Sequence, residues 1–289
     1  MSKLDLLPLL PTADFFGTQI TRLILGDNPA HGNSYIPDIY TWDEMKEYYT
    51  HENIVKMLWS SQECGYNTIL ALASPEMLKA LRQFKSEGGK LHIIFQTYPP
   101  MIDDFAANVN EMLEFDPISI YHQGSTGETL IENEEIDTYL KNIETIRKTG
   151  LPTGAAIHDP ANVLRAEKEN WDLDYYVLCP YNLRRNRKGQ QSSFITGETK
   201  AHLVFHPDDR FVMYPIIRDL KKPVVVIKAL AGGQIYMNQP KKEYPAITEK
   251  YLAETYENIK PGDVVCVGVF QRDADHVRQN AEIVAKILK

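Results

Sequence analysis

Short apolar runs alternate with helical patterns from one end of the chain to the other. Candidate strands lie at Thr21–Leu25, Thr68–Ala73, Leu91–Thr97, Ile118–His122, Thr153–His158, Tyr175–Cys179, Pro223–Lys228 and Val264–Val269. Helical patterns follow them: Ile54–Cys64, one opening near Pro75, Asp103–Phe115, Glu134–Thr149, a short one through Glu169, Asp208–Leu220, Thr248–Asn258 and Asp273–Leu288. Proline at Pro75 suits a first helical turn, and Gly150 suits a helix end. Strands such as Val224-Val225-Val226-Ile227 are apolar at every position. That is what a parallel sheet covered on both faces requires. Strict βα alternation reads as a (β/α)8 TIM barrel. An open doubly wound sheet is the alternative, but eight units fill 289 residues with little left over.

The barrel reading makes residues 1–289 a single domain. Two long loops follow strands and so share its C-terminal face: 28–52, rich in aromatics, and 183–205, which carries Arg184, Arg185, Arg187 and Lys188. Long loops in a compact domain are often lids or binding loops. Met1–Pro11 is partly apolar but holds Asp5, Pro8 and Pro11, and reads as a lead-in or a plug at the barrel bottom.

A net charge of -8 argues against non-specific nucleic-acid binding. No apolar run approaches the roughly 18 residues that a membrane helix needs. Cys64, Cys179 and Cys266 are far apart and odd in number, which suggests neither a disulfide framework nor a zinc knuckle. A soluble, cytoplasmic protein with a small-molecule substrate is expected; the pattern is silent on oligomeric state.

Polar residues at the carboxyl ends of barrel strands face the site. Here they are Asp27, Asn28 and His31, then Gln96 and Tyr98, His122 and Gln123, His158 and Asp159, Tyr181 and Asn182, Lys228, and Gln271 with Arg272. Such convergence points to an enzyme or a ligand site. Lys228 interrupts an apolar strand, and as a buried amine needs a partner or a lowered pKa. It could hold an anion, act as a base, form a Schiff base, or pair structurally with Asp27. His122 could give a proton to a carbonyl oxygen, bind metal, or sit in the core. His122, His158, His31 and Asp27 could together hold a divalent metal, though no HxH or HExxH spacing appears. Arg184 and its neighbours could clamp an anion, or form an ordinary solvated charge run. Ser125-Thr126-Gly127-Glu128 is a weak oxyanion signal.

Four segments, taken together, resemble the aldo/keto reductases: Ile20–Gly26, Cys64-Gly65-Tyr66-Asn67, Lys228-Ala229-Leu230-Ala231-Gly232-Gly233, and Val267-Gly268-Val269 with Val277–Asn280. The order and spacing run over nearly the whole chain. The resemblance implies a divergent member acting on a small carbonyl or sugar-type compound, with NADP(H) as cofactor. Gly232, Gly233, Arg272 and Asn280 would bind that cofactor, and His122 matches the family's histidine. The family's aspartate, tyrosine and lysine are missing: Leu70–Ala73 has no acid, Ser74-Pro75-Glu76 has no tyrosine, and Gln96 or Thr97 stands at the lysine. A general acid would then come from Tyr98 or Tyr181, with Lys228 as electrostatic partner. Asp27, Asn28, His31, Gln96, His158, Asn182 and Arg184 would contact substrate. A metal- or lysine-dependent lyase, isomerase or hydrolase is the alternative; a non-catalytic binding barrel is the third.

Overall fold

The computed structural model describes residues 9–185, 190–196 and 203–289. Its first strands, β1 (Thr12–Phe15) and β2 (Thr18–Thr21), form an antiparallel hairpin. Eight parallel strands then close a barrel: β3 (Leu23–Gly26), β4 (Thr68–Leu72), β5 (His92–Gln96), β6 (Ser119–His122), β7 (Thr153–Ile157), β8 (Tyr175–Leu178), β9 (Val224–Ile227) and β10 (Val264–Gly268). β10 pairs with both β9 and β3, which closes the ring. The fold is therefore the TIM barrel that the alternation dictates.

One boundary differs from the sequence expectation. Thr21 belongs to the hairpin and Leu23 starts the barrel, so Thr21–Leu25 spans two strands. The hairpin plugs the barrel bottom; of the Met1–Pro11 stretch, residues 1–8 lie outside the described residues. Ala13, Phe15 and Ile20 pack with Ile24, Tyr175 and Val264 inside the barrel. Phe15 meets the Tyr175 ring edge-on at 5.0 Å.

Alternation along the strands separates two cores. Ile24, Leu70, Ile94, Tyr121, Ala156, Val225 and Cys266 fill the barrel interior. Leu23, Leu25, Ile69, Phe95, Ile120, Ile157 and Val226 face the surrounding helices. This phase decides which strand-end residues reach the mouth.

Among the described residues, three α-helices lie outside the expected set. Trp42–Tyr48, inside the 28–52 loop, opens with a capping box between Thr41 and Glu44. Gly124–Glu132 follows β6 directly, with the Gln123 side chain accepting from the Thr126 amide at its start. Of the 183–205 loop, Ser193–Thr196 forms one helical turn; Arg187 and Lys188 lie outside the described residues. No helix among the described residues is long and apolar enough to cross a membrane.

Candidate active site

A cavity of about 240 Å³ opens at the C-terminal mouth of the barrel. Its floor is apolar, made by Leu70, Ala156, Ile227 and Cys266. Asp27, Gln96, Tyr121, His158 and Lys228 supply polar groups around that floor. A mostly apolar wall with a few converging polar groups is the usual make-up of a small-molecule site.

At its centre is a chain of three side chains. Lys228 Nζ lies 3.3 Å from His158 Nε2. His158 Nδ1 lies 2.7 Å from Glu128 Oε2. The other carboxylate oxygen, Oε1, accepts from the backbone N–H groups of His158 at 2.7 Å and Asp159 at 2.8 Å. Glu128 and His158 are both buried, while Lys228 is half-buried where it meets the cavity.

Local structure explains each position. His158 follows Ala156 by two residues and so keeps the inward phase of β7. Glu128 comes from the helix Gly124–Glu132, which comes so close to His158 that a Cβ at Gly124 would sit 2.5 Å from the ring. Lys228 is different. Strict alternation on β9 puts Val225 inward and Val224 and Val226 outward, so residue 228 should point to the helices. Its φ of 58° ends the strand in a left-handed turn, and the ammonium faces the cavity. A non-glycine residue there is strained by about 1 kcal/mol or more, and such strain concentrates at functional sites.

That strain gives a stability prediction. Lys228→Gly is expected to be more stable than Lys228→Ala by about 1 kcal/mol, because glycine adopts positive φ without a Cβ penalty. Urea midpoints of the two variants check it. Equal midpoints would show that residue 228 is not left-handed in solution.

Electrostatics fix the proton positions. Burial alone would push the Glu128 carboxyl up, but His158, its hydrogen bonds and Arg184 outweigh this, and the net shift is downward. Burial pushes His158 down, against the pull of Glu128 and helped by the Lys228 charge. At neutral pH Glu128 is therefore ionised and His158 neutral. The carboxylate requires a donor at Nδ1, so the bare Nε2 lone pair faces Lys228.

A second polar pair lies across the floor. Tyr121 is inward on β6, and its hydroxyl donates to Gln96 Oε1 at 2.7 Å. Burial pushes the Tyr121 hydroxyl well above its ordinary value, so it stays a donor. Asp27 accepts from the Leu72 amide at 2.7 Å and meets His31 Nε2 at 3.0 Å. His31 does not line the cavity but holds the carboxylate that does.

Several expected site residues are elsewhere. His122, the expected proton donor, alternates with the inward Tyr121 and points outward. It stacks on Phe105 at 5.2 Å, meets Tyr139 edge-on, and bonds Gln123 O at 3.0 Å and Asn142 Nδ2 at 3.3 Å. It is a core histidine. Tyr98 and Tyr181 do not line the cavity either. The Tyr181 hydroxyl is buried with no partner among the described residues, and its ring packs on Phe205. Arg184 is a buried structural cation paired with Glu132, and Asn182 Oδ1 accepts from the amides of Arg184 and Arg185. Arg272 lies over the Tyr40 and Phe270 rings, paired with Asp273 and Glu44, off the cavity. With His122 turned away, the four-residue metal set does not assemble, and no group of three or more potential ligands occurs among the described residues.

Asn28, Gly232, Gly233 and Asn280 do line the cavity. The two glycines have positive φ, but a Cβ on Gly232 would meet the Tyr35 ring at 2.6 Å and one on Gly233 would meet Ile36 at 2.8 Å. Their close approach thus serves the loop after β3. Tyr121 was not anticipated as a site residue, though the inward phase of β6 would have found it, and Glu128 was noted only within a weak oxyanion signal, not as the partner of His158.

No family model matches the chain, and no curated relative does. Among solved structures, the apo form of Gox0644 superposes with a TM-score of 0.55 at 8% identity, over 95% of this chain and 88% of that one. An amidohydrolase from Burkholderia ambifaria with bound Zn gives a TM-score of 0.43 at 9% identity, over 96% of this chain and 78% of that one. The first likeness speaks to the barrel fold alone, and at its lower score the second adds nothing to it.

Proposed function

We propose that this chain is an enzyme acting on a small carbonyl or sugar-type compound in the barrel mouth, with Lys228 as its working group. One observation carries this reading: Lys228 Nζ is turned into the cavity onto the lone pair of a buried, carboxylate-backed histidine. A proton leaving the ammonium has an acceptor at 3.3 Å, and Glu128 stabilises the imidazolium that forms. With the Tyr121 hydroxyl donating to Gln96 Oε1, the Gln96 NH2 offers a donor to a carbonyl oxygen and the Tyr121 oxygen an acceptor to a hydroxyl, and the apolar floor takes the carbon frame. Metal-assisted hydrolysis has less support, because among the described residues no third ligand joins the Asp27–His31 pair.

The test is a panel of small aldehydes, ketones and sugars followed by NMR, with and without NADPH or NADH. Wild type is expected to convert at least one member. Lys228→Met should lower that rate by about a hundredfold or more, the usual weight of a positioned proton-transfer group. Turnover unchanged in Lys228→Met would defeat the reading.

A second reading adds a nicotinamide cofactor. It is favoured by one feature: Gly232, Gly233, Gln279 and Asn280 line the same cavity as Lys228. Fluorescence titration with each dinucleotide separates the two. Saturation in the micromolar range supports hydride chemistry; no binding up to millimolar cofactor leaves the lysine-dependent reaction alone.

A further inference from the structure

We propose that Lys228 acts as a covalent amine, condensing with the substrate carbonyl to form an imine. The inference rests on the carbonyl reading above and deepens it. An ammonium placed for charge alone is usually set against a carboxylate. Among the described residues no carboxylate lies within ion-pair range of Lys228 Nζ, and its polar contact is the neutral Nε2 of His158. The histidine's other nitrogen is committed to Glu128, so Nε2 is free to take and return a proton. The left-handed backbone at residue 228 spends strain to point this nitrogen at the cavity rather than at the helices. The floor of the cavity is apolar, and Tyr121 and Gln96 line the same cavity across it, where a substrate oxygen could meet them.

The step balances. The Lys228 ammonium gives one proton to His158 Nε2, leaving a neutral amine and an imidazolium beside Glu128. The amine lone pair forms the N–C bond as the C=O π pair moves to oxygen. A second N–H proton passes to that oxygen, giving a carbinolamine. The imidazolium returns its proton to the carbinolamine hydroxyl, which leaves as water while the nitrogen lone pair closes C=N. Ammonium and carbonyl have become protonated imine and water, with His158 neutral again. No oxidant, reductant or metal is consumed.

Three ketones serve as probes: dihydroxyacetone, pyruvate and fructose. Each is incubated with the full chain and cyanoborohydride, and reduced adducts are located by peptide mass spectrometry. Lys228 is expected to be marked by at least one probe faster than any exposed lysine. His158→Gln should slow that labelling by about a hundredfold while leaving the other lysines unchanged. Labelling of Lys228 no faster than the surface lysines with all three probes would overturn the proposal. Lys228→Arg provides an independent arm, since it keeps the charge and removes the condensing amine. Turnover retained in Lys228→Arg but lost in Lys228→Met would sink the imine and leave the site assignment intact; turnover lost in both supports the imine. Turnover indifferent to either change removes both readings at once.

Discussion

Glu128→Ala is expected to destabilise the protein by about 3–5 kcal/mol, the cost of removing one buried acceptor that three donors share. The carboxylate is buried and accepts three hydrogen bonds, from His158 Nδ1 and from the backbone amides of His158 and Asp159. Alanine leaves all three donors without an acceptor, at about 1–3 kcal/mol for each that water cannot reach. Arg184 also loses a negative neighbour. Glu128→Gln separates structure from chemistry. Its carbonyl can still accept from the two amides, so the stability loss should be only about 1–2 kcal/mol, the weight of a charged over a neutral acceptor. Its NH2 would then face His158 Nδ1. The imidazole must shift to the tautomer that carries hydrogen on Nε2, and that hydrogen points at the Lys228 ammonium. Turnover should therefore fall in Glu128→Gln nearly as far as in Glu128→Ala. Urea unfolding with unchanged slope, read beside activity, checks both halves. An alanine variant within about 1 kcal/mol of wild type would mean that the carboxylate does not hold the loop after β7.

This same helix marks the limit of what the sequence reveals. The barrel strands are legible because each is an apolar run flanked by turn residues, and their observed ends lie within about two residues of the expected ones. Gly124–Glu132 is not legible. Its first four residues are Gly, Ser, Thr and Gly, all poor helix formers, and nothing local marks it as helical. The reason for those glycines is tertiary: Gly124 makes room for the His158 ring, and Gly127 for Tyr139 and His122. The two features that make the site, the short helix and its buried acid, were thus hidden by the packing that requires them. Lys228 was visible because it breaks an apolar run, although its direction depends on a left-handed turn that no pattern encodes. His122 was visible for the same kind of reason and misled. A histidine at a strand end has even odds of facing either way, and only the phase set by Ile120 and Tyr121 decides it.

The outward His122 has its own consequence below neutral pH. Burial between Phe105 and Tyr139 pushes its pKa down from 6.5 to about 4. A folded pKa depressed below the unfolded one means that protons bind the unfolded chain more tightly. The stabilisation is complete above pH 6.5 and is lost as pH falls toward 4. A tenfold change in proton concentration is worth about 1.4 kcal/mol, so the window carries about 3 kcal/mol from this one ring. His122→Gln keeps a neutral hydrogen-bonding side chain that does not titrate. At pH 8 it should be less stable than wild type by about 1–2 kcal/mol, because the ring contacts are lost. Between pH 6.5 and 4 the wild-type curve should fall more steeply, and the two curves should meet or cross before pH 4. Glu128 and His158, both also depressed, contribute acid sensitivity of their own, but equally to wild type and variant, so the difference between the curves isolates His122. Parallel curves over that window would place His122 in contact with water, and would return it to the mouth of the barrel as a candidate for the chemistry.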